Sequence, residues 1–353
     1  MNKFNDGRDW FFKKRYAMFI HWGLYSIPAW HEQIIWRGNI LRQDYELLMD
    51  QFNPENFDPD AWLDTIQEVG MESVCFTTKH HDGFCMWDTK YSDYNIMNTP
   101  YGKDIVGMLA NACHKRGMPF GIYYSIPDWH HHNYPNQGRH HEMFGPRKGD
   151  QPDIKMYLEY VRNQMEELCS NYGEISQIFW DVNVLDFDDP SVNDMIRRLQ
   201  PNAVINDRGP DKGDFETPER NVPDLVEFRR LTQAVQSLGR ESWGYRIDED
   251  YYNYKYLMQS IDRVMAMGGQ YQLNVGPKSD GTFAEEDMLA LKRIGKWYNS
   301  VKEAFIETVP ATTILRPNGE PAERDDVLIT KKGNILYAHL YNDLQTNSLV
   351  LKR

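Results

Sequence analysis

Residues 120–125 read Phe-Gly-Ile-Tyr-Tyr-Ser, residues 177–182 read Gln-Ile-Phe-Trp-Asp-Val, and DIKMYLEYVRNQMEELCSN (153–171) lies between them. The two short aromatic and β-branched runs predict buried strands. The middle segment carries apolar residues at helical spacing and stops near Gly173, which predicts a helix. A strand, a helix and a second strand imply a parallel pair with a crossover. The same alternation extends in both directions. Strands are expected over 17–22, 73–78, 203–206, 242–245 and 272–275, and a weaker one over 214–217. Helices are expected from Pro59 (with Asp58 as N-cap) to Gly70, and over 103–116, 191–199, 254–267 and 284–301. Eight strands alternating with helices predict an α/β protein with a (β/α)8, TIM-like barrel. An open doubly wound sheet would carry a glycine-rich phosphate turn after one strand, and none is present. The barrel is expected over 1–309. From 310 to 353 the pattern changes. DDVLITKKGNILYAHLYN (325–342) reads as two alternating strands around a Lys-Gly-Asn turn, so a short C-terminal β appendage is expected.

Composition narrows the function. The chain has 353 residues, with 39 Lys and Arg against 52 Asp and Glu, a net charge of −13. A charge of that sign disfavours nucleic acid and anionic membrane as partners, because both select a basic face. No apolar run approaches the ~18 residues of a membrane span. Four cysteines without CxxC spacing read as reduced, buried thiols, and the N-terminus shows no uninterrupted leader-like apolar run. A cytoplasmic location is expected, or a periplasmic or secreted one if a leader has been removed. The 10 Trp, 21 Tyr, 16 Phe and 11 His suit either a large core or a ring-shaped, hydroxylated ligand.

In a barrel of this class the chemistry sits at the C-terminal strand ends. Those ends carry His21 and Trp22, then Lys79, His80, His81 and Asp82, then Tyr124, Ser125 and Asp128. They continue with Trp180 and Asp181, Asn206 to Arg208, Glu216 and Glu219, and Trp243. Acids, imidazoles and aromatics converge without a candidate serine or cysteine nucleophile. Two carboxylates across a sugar-sized pocket are what glycoside hydrolysis needs, one ionised to attack and one protonated to release the leaving oxygen. Asp181 ends the most hydrophobic strand, where an acid has no packing reason to exist, and is the nucleophile candidate. Glu216 and Glu219 compete for the acid/base role. Three residues apart on a strand, they point to opposite faces, and position alone does not choose between them. His80 and His81 suit hydrogen bonding to hydroxyls better than metal ligation, since adjacent strand-end side chains diverge. The histidines at 130–132 and 140–141 read as a solvated loop. No metal or other cofactor is expected.

At these residues the chain resembles glycoside hydrolase family 29, the α-L-fucosidase family. The resemblance rests on FIHWGLYSIPAW (19–30), FNPENFDPDAW (52–62), TTKHHDGFCMWDTKYSDYN (77–95) and FGIYYSIPDWH (120–130). It continues in QPNAVINDR (200–208), DFETPE (214–219), SWGY (242–245) and LNVGPKSDGT (273–282). It implies a barrel with a C-terminal β domain and metal-free hydrolysis of terminal α-L-fucose with retention. It implies Asp181 as nucleophile and Glu219 as acid/base, with Glu216 in reserve. His21, His80 and His81 would bind the sugar hydroxyls with Tyr124 beside them. Arg208 would sit near the nucleophile and Trp243 would form an aromatic wall. Glu32 and Trp180 complete the expected substrate-binding set.

Departures from the family pattern surround the pocket. The usual Trp-Phe-Asp-Gly is here Phe179-Trp180-Asp181-Val182. The usual Glu-Trp is Glu32-Gln33, leaving Trp36 as a substitute. The substrate is therefore fucose or a close relative such as L-galactose, and a fucose-binding protein with weak catalysis is the rival reading. A metal-dependent hydrolase using the histidine loop is a third. The shortened appendage leaves barrel surface that a second copy of the chain could cover.

Overall fold

The computed structural model describes residues 3–223, 225–312 and 327–341. Seven parallel strands form one curled sheet: β1 (Tyr16–Ile20), β2 (Ser73–Lys79), β3 (Phe120–Ser125), β4 (Gln177–Asp181), β5 (Val204–Ile205), β6 (Gln233–Ser237) and β7 (Gln270–Val275). Their order is β5-β4-β3-β2-β1-β7-β6. The gap between β5 and β6 is filled by the segment 214–219. It joins both sides through isolated parallel bridges, Asn206 to Phe215, Glu216 to Thr232 and Glu219 to Val235. The ring of eight is thus closed, seven members laddered and one bridged.

One sequence expectation needs correction. Residues 242–245 form no strand; the strand is Gln233–Ser237. Its inward residues are Gln233, Val235 and Ser237, so it lacks the apolar run that marks a buried strand. The inward amides bond one another: Gln177 Nε2 donates to Gln233 Oε1 at 2.8 Å and Gln272 Nε2 to Gln177 Oε1 at 3.2 Å. Above this polar layer Phe19, Cys75, Tyr123, Phe179 and Val235 make a small apolar layer, with Trp243 packed on it. It forms the floor beneath the strand ends.

Helices α1 (Pro59–Glu68), α2 (Ile105–Lys115), α3 (Ile154–Asn171), α4 (Pro190–Leu199), α5 (Tyr254–Ala266) and α6 (Glu285–Val301) surround the sheet. Asp58, Asp104, Asp153, Asp189 and Asn253 each accept a first-turn backbone N–H of the first five. Each such cap contributes about 1 kcal/mol. Helix α6 instead has Glu285, Glu286 and Asp287 in its first turn, which favours the positive end of the helix dipole. Outward-facing strand residues and the helices share the main core, including Ile178, Trp180, Ile122 and Tyr124. Three further strands, β8 (Val309–Pro310), β9 (Val327–Lys332) and β10 (Ile335–Leu340), form an antiparallel sheet. It docks on α5, where Asp262 accepts from Tyr341 at 2.7 Å and lies 3.0 Å from His339.

The long loop after β3 is ordered by buried charge. Lys79 and Asp128 pair at 2.9 Å with both side chains buried, and Asp128 also accepts the backbone N–H groups of His130 and His131. Removing one partner of such a pair costs about 3–5 kcal/mol, because the other charge is stranded. Glu142, buried further along, takes Tyr134 and Arg139.

Candidate active site

Asp181 ends β4 with its side chain on the inner face, since residues 177, 179 and 181 alternate inward. Its Oδ2 accepts the Tyr123 hydroxyl at 2.5 Å and its Oδ1 lies 3.1 Å from Arg208 Nη1. That same Nη1 also bonds Glu219 Oε1. One nitrogen therefore touches both carboxylates. Their nearest oxygens lie no more than two hydrogen-bond lengths apart, roughly 6 Å. Arg208 Nη2 donates to the Thr217 carbonyl at 2.5 Å, which ties the 214–219 segment to the same guanidinium.

The two carboxyls are pushed in opposite directions. Burial disfavours the Asp181 carboxylate, but the Arg208 guanidinium foremost, with the Tyr123 hydroxyl, outweighs it and holds its pKa below the usual value. Crowding by the protein raises the pKa of Glu219, and the Asp181 charge adds to this against the pull of Arg208. The Glu219 side chain is 42% exposed at the mouth, so solvent damps that push. Glu216 points elsewhere: its carboxylate pairs with Arg230 at 2.5 Å, and the same guanidinium lies 3.7 Å from Asp207.

The imidazoles are neutral. His21 has its pKa lowered to about 4 and His81 to about 3, in both cases mainly by burial, and burial likewise pushes His80 well down. Their protons can be placed from the network. Asn274 Nδ2 donates to Ser237 Oγ and the Trp243 carbonyl, which turns its Oδ1 toward His21 Nδ1 at 2.7 Å. His21 thus carries its proton on Nδ1 and leaves Nε2 as an acceptor. Ser125 Oγ donates to the Pro127 carbonyl and receives His81 Nδ1 at 2.6 Å. His81 Nε2 is then an unprotonated acceptor 3.8 Å from Asp181 Oδ2. As an acceptor, His81 Nε2 can take the single proton of one ligand hydroxyl beside the carboxylate.

Glu32 closes the opposite wall. Its Oε2 accepts Ser242 Oγ at 2.8 Å and the Trp243 backbone N–H at 2.9 Å, so residues 242–245 form a loop that chelates an acid. Its Oε1 is buried without a hydrogen-bond partner among the described residues, as is His80 Nδ1. The Trp243 ring stacks on His21 with centres 5.4 Å apart, and Arg220 lies 4.5 Å over its ring centre. The site is a polar cup with an aromatic side. It can bind several hydroxyls, present one carboxylate as a nucleophile and hold a second for proton transfer.

The structure brings together Asp181, Glu219, Arg208, His21, His80, His81, Glu32 and Trp243. It does not bring in Tyr124 or Trp180. Both point outward: Tyr124 donates to Gln164 on α3 at 2.7 Å, and Trp180 Nε1 to Asn193 on α4 at 3.1 Å. Adjacent strand residues face opposite sides, so the inward pair is Tyr123 and Phe179, whose rings stack 5.9 Å apart. Alternation counted from Asp181 would have found them. His141, expected in a solvated loop, instead packs its ring 5.3 Å from His81. Among the described residues, no three His, Cys, Asp or Glu side chains are grouped to hold a metal ion.

The family model described as Alpha-L-fucosidase matches residues 2–303. The chain belongs to the alpha-L-fucosidase family. Among curated relatives, the tissue alpha-L-fucosidase of Bos taurus is 28% identical over 94% of this chain and 74% of its own length. Among solved structures, alpha-L-fucosidase isoenzyme 1 from Paenibacillus thiaminolyticus superposes with a TM-score of 0.83. It is 32% identical, over 95% of this chain and 84% of that one. A Bacteroides thetaiotaomicron alpha-L-fucosidase trapped as a covalent intermediate with 2-fluoro-fucosyl fluoride gives a TM-score of 0.78. There the identity is 28%, over 88% of this chain and 78% of that one. Within the alpha-L-fucosidase family fold, no helix among the described residues is long and apolar enough to cross a membrane.

Proposed function

We propose that this protein hydrolyses terminal α-L-fucosyl residues from oligosaccharides or glycoconjugates with retention of configuration. The observation that carries the reading is the single Arg208 nitrogen bonded to both Asp181 and Glu219. Retaining pairs stand ~5–5.5 Å apart and inverting pairs roughly 6.5–9.5 Å. A shared donor favours the first class. The covalent intermediate of the Bacteroides relative supports the same chemistry.

The reaction follows from the charges. Asp181, held ionised, attacks the anomeric carbon while the bond to the leaving oxygen breaks and Glu219 delivers its proton to that oxygen. Once Asp181 is esterified its negative charge is gone, and with it one cause of the raised Glu219 pKa. Glu219 is then the better carboxylate base. It takes a proton from water as the water oxygen attacks the anomeric carbon and the Asp181 ester bond breaks. Side chains supply both the nucleophile and the proton, so the scheme calls for no cofactor. His21, His80, His81 and Glu32 hold the hydroxyls, and Trp243 covers the apolar side of the ring. The four cysteines are free and buried, which supports a cytoplasmic location.

The test is a panel of aryl α-L-fucoside, α-L-galactoside and β-D-galactoside, with the first-formed anomer followed by NMR. Turnover of the fucoside with α-L-fucose appearing first is expected. An initial β product, or binding of L-fucose with no turnover, would overturn the reading.

A further inference from the structure

The loop after β3 carries one imidazole into the site that the hydrolytic scheme leaves unused. His141 packs its ring 5.3 Å from His81 and 5.6 Å from Trp36, so it bridges the second strand end and the loop after β1. Its backbone is fixed on both sides. The Trp129 indole donates to the His141 carbonyl at 2.9 Å, and the neighbouring Glu142 is the buried anchor of Tyr134 and Arg139. Its backbone φ is 62°, a left-handed conformation that histidine adopts more readily than most residues.

His141 Nδ1 is buried without a hydrogen-bond partner among the described residues. A buried imidazole nitrogen left unpaired forfeits a hydrogen bond it could make to water, and here an anchored loop holds it in that state. His141 packs against His81, whose Nε2 lies 3.8 Å from Asp181 Oδ2, which places His141 one side chain away from that carboxylate. Its side of the mouth is set by topology. Glu219 comes from the segment between β5 and β6, whereas His141 leans on the β2 and β3 ends, across Asp181 from the acid. The leaving group must lie against Glu219, so what meets His141 is the sugar ring.

We propose that His141 is a substrate-binding residue that hydrogen-bonds a ring hydroxyl of the sugar seated on Asp181. The inference rests on the fucosidase reading and adds a contact from the β3 loop to the strand-end set. With it, glycone recognition depends on the loop as well as on the barrel.

The test is competitive inhibition by L-fucose, measured with an aryl α-L-fucoside as substrate, for the wild type, His141→Ala and His141→Phe. The phenylalanine variant keeps the ring packing against Trp36 and His81 and removes only the nitrogens, so it decides if the alanine variant unfolds. A Ki about tenfold weaker in the folded variants is expected, with His141→Gln recovering most of the loss. An unchanged Ki in either folded variant overturns the assignment while the fucosidase reading stands. Failure of the wild type to turn over the fucoside at all would strike that reading instead.

Discussion

Asp181 and Glu219 share a hydrogen-bond donor, yet the protein mounts them differently. Asp181 ends a strand whose every residue is paired in register with β3, from Gly121 opposite Gln177 to Ser125 opposite Asp181. Glu219 sits on a segment held to the ring by isolated bridges and by Arg208. In the proposed mechanism the nucleophile, Asp181, has to meet one carbon along one direction, and a laddered strand fixes direction. The proposed acid/base, Glu219, has to lose a proton in one step and regain one in the next, and a partly exposed carboxyl at the mouth can exchange with water. Rigid seating and solvent access are placed where each is needed.

Substitution of the two acids should break this comparison most visibly. Asp181→Ala is expected to lower kcat on an aryl α-L-fucoside by at least ~10⁴-fold, with partial recovery in azide, because the covalent step itself is removed. Steady-state kinetics with and without azide measure this. Glu219→Ala should cost about 10²–10⁴-fold on poor leaving groups and far less on an activated nitrophenyl group, which needs no proton. Glu216→Ala should stay within about twofold of wild type on both. Equal losses at 216 and 219 would remove the assignment.

The adjacent tyrosines give a smaller and sharper contrast. Tyr123→Phe removes a donor that stabilises the Asp181 carboxylate, so the acidic limb of the kcat/KM profile should move to higher pH with kcat down about tenfold. Tyr124→Phe should leave the profile in place and cost about 1 kcal/mol of stability, read from denaturant melts. In the wild type the profile should be bell-shaped. Activity falls below the lowered Asp181 pKa as the nucleophile is protonated, and falls above the raised Glu219 pKa as the acid is lost. A flat alkaline side would contradict the role of Glu219.

The smallest expected effect concerns Val182, directly after the nucleophile. Its φ is 55°, a left-handed value that a β-branched residue adopts only under strain. Val182→Gly relieves about 1–3 kcal/mol of strain and costs about 0.5–1 kcal/mol in chain entropy. A rise of a few degrees in Tm is expected, measured by calorimetry.

Most of the barrel could be read from sequence because each of its first four strands carries a run of consecutive apolar residues, as in Ile178-Phe179-Trp180. Strand β6 escaped because its inner face is Gln233 and Ser237, whose amide and hydroxyl bond other inward polar groups. The aromatic run at 242–245 imitated a strand, although its role is to wrap Glu32. Within the candidate site, strand-end position put Asp181, His21, His80 and His81 on one rim, and the structure brings them together. Strand-end position did not separate Tyr123 from Tyr124 or Phe179 from Trp180, which requires counting alternation back from the carboxylate. His141 could not be placed at all, because a loop's path depends on contacts such as that of Trp129 with its carbonyl.

The most direct measurement is labelling by 2-fluoro-fucosyl fluoride, followed by digestion and peptide mass mapping. A single 2-fluoro-fucosyl adduct on the peptide containing Asp181, with loss of activity in step, is the expected result. Hydrolysis with that peptide unmodified, or an adduct on Glu219 or Glu216, would contradict Asp181 as the nucleophile of a retaining enzyme.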